Sequence, residues 1–135
     1  RKKIEITDNV IPSANSVMCE NLLKLGLIGG KDKWFHQGER MLEKMKDKAF
    51  MHPQHYANWC RILSIQQNVY PYVVSNEPGI QVNRHKAWMN LVWHKELSDI
   101  HIFTGKDFSK KDVFYYCANK VCHAPVSNSE EIRYA

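Results

Sequence analysis

Residues 13–30 read Ser-Ala-Asn-Ser-Val-Met-Cys-Glu-Asn-Leu-Leu-Lys-Leu-Gly-Leu-Ile-Gly-Gly. Val17, Met18, Leu22 and Leu25 recur at three- and four-residue spacing, the period of one helix face. Pro12 and the polar cluster Ser13, Asn15 and Ser16 supply a start, because short oxygen side chains accept bonds from unpaired helix N–H groups. Gly26, then Gly29-Gly30, supply the stop. A first helix over about 13–26 is expected, with that apolar face toward the core.

Downstream, Asp32 is a candidate cap for a second helix, with Trp34, Gly38, Met41, Met45 and Ala49 on one stripe. Pro53 closes it. A third helix over about 54–67 stacks Tyr56, Trp59, Cys60 and Leu63. Connections this short require antiparallel hairpins. Helices one and three are apolar or small over most of their circumference, as in helices enclosed by a larger helical assembly. After residue 68 the character changes. Tyr70 to Ser75, Ile100 to Phe103 and Val113 to Cys117 read as short strands, with a fourth helix over about 80–95 carrying Val82, His85, Trp88, Met89 and Val92. Strand, helix and strand imply a right-handed crossover and a parallel pair. The expected division is residues 1–68, helical hairpins, and 69–135, a small strand-helix-strand appendage.

The 135 residues suffice to bury a core without metal or disulfides. The hydrophobic share of 44% and charged share of 24% exclude a disordered or collagen-like chain. A net charge of +5 invites a nucleic-acid reading. The charges are mixed in sign, however, as Glu43, Lys44, Lys46, Asp47 and Lys48 illustrate, which describes a solvated helix face. A surface that tracks phosphates shows a stripe of one sign with aromatics between, so no nucleic-acid partner is expected. No apolar run approaches the roughly 20 residues of a membrane-spanning helix, and a cytoplasmic setting is expected. Arg1, Lys2 and Lys3 open the chain without an initiator Met, which suggests a piece of something longer.

Two motifs resemble a known family. The first is Asp8-Asn9-Val10-Ile11-Pro12-Ser13-Ala14-Asn15-Ser16-Val17 ahead of a Leu-rich helix. The second is Tyr115-Tyr116-Cys117-Ala118-Asn119-Lys120-Val121-Cys122-His123-Ala124-Pro125-Val126. Together they resemble the carboxyl-terminal segment of an uncharacterised family that joins a thioredoxin-like domain to an α/α toroid, the spermatogenesis-associated thioredoxin-like proteins among them. The family's usual form is Pro-Ser-Gly-Asn-Ser, from which Ala14 departs at the Gly. The resemblance implies a mainly α fold, antiparallel hairpins of an α/α toroid with a small C-terminal α/β unit. It also implies a partner in the missing N-terminal part of the parent chain. The family's toroid is similar to N-acylglucosamine 2-epimerases and six-hairpin glycosidases, which implies carbohydrate metabolism by fold analogy alone. No catalytic residue is carried over, and no cofactor is expected.

In a toroid, alternate helices line the centre with their N-termini at one end. Asp8, Asn9, Ser13, Asn15 and Ser16 would then gather near His52, Gln54, His55 and Tyr56. Helix N-termini favour anions, and hydroxyl, amide and imidazole groups suit a small carbohydrate ligand. Plain capping uses the same residue types and is the competing reading. His52 and His55 can serve as acid or base, but no second carboxylate accompanies Asp8, so a catalytic set would borrow from elsewhere.

Cys117 and Cys122, with His123 adjacent, leave three states open: free thiols in the core, a disulfide, or metal ligands. Free thiols come first, because so short a loop gains little chain-entropy stabilisation and the setting looks reducing. Cys19 and Cys60 are isolated and supply no second pair for a closed zinc site, so no metal is expected. Trp34, Trp59, Trp88 and Trp93 read as core rather than sugar-stacking platforms, although Trp93 falls off the stripe of helix four, where exposure is the alternative. Two functions remain: a share of a sugar-binding cleft, or a non-catalytic module that completes the ring and docks another domain or subunit.

Overall fold

The computed structural model describes residues 5–8, 11–78 and 86–134. The chain divides into two compact units, Arg1–Gln66 and Gln67–Ala135. The first holds helices α1 (Ala14–Gly29) and α2 (Asp32–Met51), a 3-10 turn at Pro53–His55, and most of helix α3 (Ala57–Gln67).

Helix α1 passes Gly26 and stops at Gly30, whose left-handed φ of 65° a residue without Cβ adopts at no cost. Gly26 serves packing instead of termination. A Cβ there would lie 2.7 Å from the Phe35 backbone nitrogen, and one at Gly38 would lie 2.8 Å from Leu23 Cγ. Those two glycines let the antiparallel helices close on each other. The faces chosen follow from that approach. In α1 the buried residues are Ser16, Cys19, Leu23, Gly26 and Leu27. Val17, Met18 and Leu25, expected in the core, are 42%, 52% and 51% exposed. In α2 the stripe is Phe35, Gly38, Leu42, Met45 and Ala49, and Trp34 is 45% exposed. Helix α3 buries Trp59, Ile62 and Leu63. Each large side chain fully buried here, Leu23, Leu42, Ile62 and Trp59 among them, contributes about 1.5–3 kcal/mol.

The second unit is a four-stranded mixed sheet in the order β2-β1-β3-β4. Its strands are β1 (Tyr72–Ser75), β2 (Met89–Val92), β3 (Phe114–Ala118) and β4 (Val121–Cys122). Central strand β1 is buried along its whole length, as a strand covered on both faces must be. It runs parallel to β2, with Val73 opposite Asn90, and antiparallel to β3, with Val73 opposite Tyr116. One face packs Val73, Phe114 and Tyr116 with Ala87 and Ile132. The alternate positions of β3 place Tyr115 against Phe108, which also stacks on Trp93 at 5.1 Å. The Asn76 side chain holds the loop ahead of β3: Nδ2 donates to the Lys110 carbonyl at 2.7 Å and Oδ1 accepts from Val113 N–H at 2.9 Å.

The expected mainly α chain of toroid hairpins with a small α/β appendage is corrected by these elements. Among the described residues, three helices and a four-stranded mixed sheet make a small α/β fold. The reason lies in the second half. Met89–Val92, assigned to the fourth helix, pairs with β1 through backbone bonds, and the sheet has its own buried core. The rest of that helix, with Val82 and His85, lies outside the described residues. Ile100 to Phe103 is not the parallel partner either, since His101–Phe103 forms a 3-10 turn with Ile102 and Phe103 buried. No described helix is long and apolar enough to cross a membrane.

Candidate functional site

The polar residues ahead of α1 converge on one carboxylate. Ser13 caps the helix, its hydroxyl accepting the Ser16 N–H at 3.2 Å. Asp8, only 4% exposed, sits behind that cap. Its Oδ1 accepts the Ser13 N–H at 2.7 Å and lies 2.9 Å from Ser16 Oγ. Its Oδ2 accepts the N–H groups of Asn58 at 2.9 Å and Trp59 at 3.2 Å, both in the first turn of α3. One side chain thus caps α3, satisfying N–H groups that a helix start leaves unpaired, and braces the Ser13 cap of α1.

The surrounding bonds close the cluster. Ser16 Oγ also lies 2.9 Å from the Ser13 carbonyl and accepts from Asn58 Nδ2 at 2.9 Å. Its single proton favours the Asp8 carboxylate, because a bond to an ionised acceptor is the stronger. Asp8 N–H donates to the His55 carbonyl at 2.8 Å, and Trp59 Nε1 donates to the Ile6 carbonyl at 2.8 Å. Asn15 Nδ2 donates to the Glu5 carbonyl. Arg61 reaches Asn58 Oδ1 at 3.0 Å and also pairs with Glu20. Residues 5–8 therefore lie across the starts of α1 and α3.

Asp8, Ser13, Ser16 and His55 are brought together at one end of the helical unit, with Asn15 tied to the same segment. Asn9 lies outside the described residues. His52 and His55 are exposed and Tyr56 is half-buried, in and beside the 3-10 turn Pro53–His55. Chemically the cluster is occupied by its own backbone. Among the described residues, every buried side-chain nitrogen or oxygen has a hydrogen-bond partner. The bonds of Asn58 and Trp59 to the Asp8 carboxylate left no mark in the sequence, because they come from backbone N–H groups, which any residue carries.

The cysteines differ from the first expectation. Cys117 and Cys122 form a disulfide, so neither the free-thiol reading nor the weaker metal reading with His123 holds. Their strands are antiparallel neighbours with the two residues directly opposite, a proximity that sequence spacing alone does not reveal. Among the described residues no group of three or more His, Cys, Asp or Glu gathers to hold a metal ion. Cys19 and Cys60 are free, and burial pushes the Cys19 thiol up to about 12. That keeps it an inert hydrophobe.

The sheet unit carries two open concavities. One, of about 150 Å³, is lined by Asp107, Lys110, Asp112, Tyr115 and Ser127. The other, of about 380 Å³, is lined by Glu77, Lys111, Asp112 and Asn128. A hydrogen bond with Asp112 raises the Glu77 carboxyl above its ordinary value. Asp107 is held below the usual carboxylate range by its bonds from Ser109.

Compared with known family models, curated proteins and solved structures, the chain matches none.

Proposed function

We propose that the chain is a non-catalytic structural and interaction module, whose helical unit docks another domain or subunit through the outer face of α1. The observation that carries this is the exposure of Val17, Met18 and Leu25 on a helix whose opposite face is already packed against α2. Apolar side chains spaced along one face of a helix are a recurrent anchor for a partner surface. The occupied state of Asp8 supports the same reading, since its oxygens hold helix starts and leave no acceptor for a ligand. The test replaces Met18 and Leu25 by Glu. Self-association or binding of an apolar dye by the parent chain, lost in the variant without loss of stability, is the expected outcome.

A second reading, a small carbohydrate ligand, draws on the exposed imidazoles of His52 and His55 beside the start of α1. Titration with neutral monosaccharides, followed by the imidazole NMR signals, tests it. Unmoved signals at millimolar sugar would discard it. Kinship with the thioredoxin-linked family rests on the two end motifs, and a Cys-x-x-Cys domain in the parental reading frame upstream of Arg1 is its test. A cytoplasmic setting is proposed with it: Cys19 and Cys60 stand free, and the Cys117–Cys122 bridge would meet cellular reductants there.

A further inference from the structure

The turn between β3 and β4 consists of Asn119 and Lys120, both left-handed, with φ of 53° and 62°. This is the backbone of a two-residue hairpin turn; Asn takes it readily, whereas Lys at the second position lacks the freedom of the Gly found there most often. β4 has only two residues, Val121 opposite Ala118 and Cys122 opposite Cys117. The disulfide Cys117–Cys122 therefore clamps the hairpin immediately behind an unfavourable turn.

The turn in its place supports a second left-handed segment. Val69 and Tyr70 have φ of 57° and 55°, uncommon for any non-glycine and an outlier for a β-branched residue. The Val69 carbonyl accepts the Asn119 N–H at 2.7 Å. Two strained turns thus brace each other at the point where the chain enters β1. Farther along, the sheet needs no clamp. Phe114 and Val126 exchange two backbone bonds at 2.9 and 3.0 Å, and β1 is paired on both sides. A disulfide across a loop this short adds little chain-entropy stabilisation to the unit as a whole.

We propose that Cys117–Cys122 is a redox-controlled clamp that sets the order of the hairpin tip and of the Val69–Tyr70 entry, leaving the rest of the sheet in place. Cys122 is the accessible partner, half-buried on an edge strand, while Cys117 is fully buried. A thiolate of an external dithiol attacks Cys122 Sγ, the sulfur–sulfur bond breaks, and Cys117 departs and takes up a proton. The second thiol of the reductant then displaces Cys122 as a thiol. Two electrons pass to the protein, and the reductant leaves as its own disulfide. With the clamp open, the Asn119–Lys120 turn relaxes and the Val69 carbonyl loses its donor. This device is independent of the docking reading.

Hydrogen exchange on the whole chain, oxidised and then reduced with dithiothreitol, tests the clamp. Reduction is expected to speed exchange at the Asn119 amide by at least about tenfold, while Val73, Val74 and Tyr116 change by less than about twofold. Reoxidation with glutathione disulfide restores the slow rate. The Cys117→Ala/Cys122→Ala variant is expected to exchange fast at Asn119 in both buffers. An unchanged Asn119 rate in the reduced chain would overturn the proposal, as would cooperative loss of protection throughout residues 67–135. Resistance of the bridge to the dithiol, or free thiols at 117 and 122 in the oxidised sample, would overturn it equally.

Discussion

The Asp8 carboxylate accepts the backbone N–H of Asn58 at 2.9 Å, although 50 residues separate them in sequence. That single bond, with its neighbour from Trp59 at 3.2 Å, ties the start of α3 to the start of α1. Removing the carboxylate leaves the first-turn N–H groups of Asn58 and Trp59 in α3, and the N–H of the α1 cap Ser13, without an acceptor in a buried place. Asp8→Ala is therefore expected to destabilise the chain by about 2–4 kcal/mol, and Asp8→Asn, which keeps one acceptor oxygen, by about half as much. Urea unfolding of the two variants checks this, and equal losses would show that one retained acceptor oxygen contributes nothing without the full carboxylate.

The α1–α2 contact predicts a second effect. An added methyl at Gly26 meets the Phe35 backbone, which has no rotamer with which to escape. Gly26→Ala is expected to cost about 1–3 kcal/mol, despite a helix-propensity gain of about 1 kcal/mol. Gly29→Ala is the control, because its nearest neighbour is the Lys31 side chain at 3.5 Å. Thermal unfolding of the pair is expected to separate them clearly.

Cys19 predicts a dependence on alkali. Burial holds its thiol at about 12, against an ordinary value of 9.0. The folded state thus keeps a proton that the unfolded state releases. The stability it confers is complete below pH 9 and is lost as pH rises from there toward 12. The slope is at most about 1.4 kcal/mol per pH unit. Denaturant midpoints measured across that range, for the parent chain and Cys19→Ala, are expected to differ by a constant amount below pH 9 and to converge above it.

Asn76 is the comparable anchor in the sheet unit, bonding the Lys110 carbonyl and the Val113 N–H from one amide. Asn76→Ala is expected to cost about 1–3 kcal/mol and to speed amide exchange at Val113. Exchange at Val113 as slow as in the parent chain would show that the loop is held by its aromatic packing instead.

How much of this was legible from the residues differs between the two halves. The three helices announce themselves through periodicity and through Pro12, Ser13 and Pro53. Their core faces do not. Val17, Met18 and Leu25 are larger apolar residues than Ser16, Cys19 and Gly26, yet close approach to α2 selects the smaller ones. In the second half, Trp88, Met89 and Val92 fit a helical phase, and a four-residue strand is too short for its alternation to compete. Its assignment comes from pairing with β1, which is tertiary information. For the site, the polar cluster was visible at Asp8, Ser13 and Ser16, but its chemistry was decided by backbone donors of α3. The pairing of Cys117 with Cys122 depended likewise on the hairpin turn at Asn119.

The outer face of α1 carries the central claim. Sedimentation velocity with an apolar dye as a second probe, on the parent chain and on Met18→Glu/Leu25→Glu, measures it directly. The expected result is concentration-dependent association or dye binding by the parent chain, reduced several-fold in a variant whose unfolding midpoint is unchanged. A parent chain that stays monomeric and binds no dye would contradict the claim. So would a variant that unfolds, because those side chains would then belong to the core of the fold and not to a surface awaiting a partner.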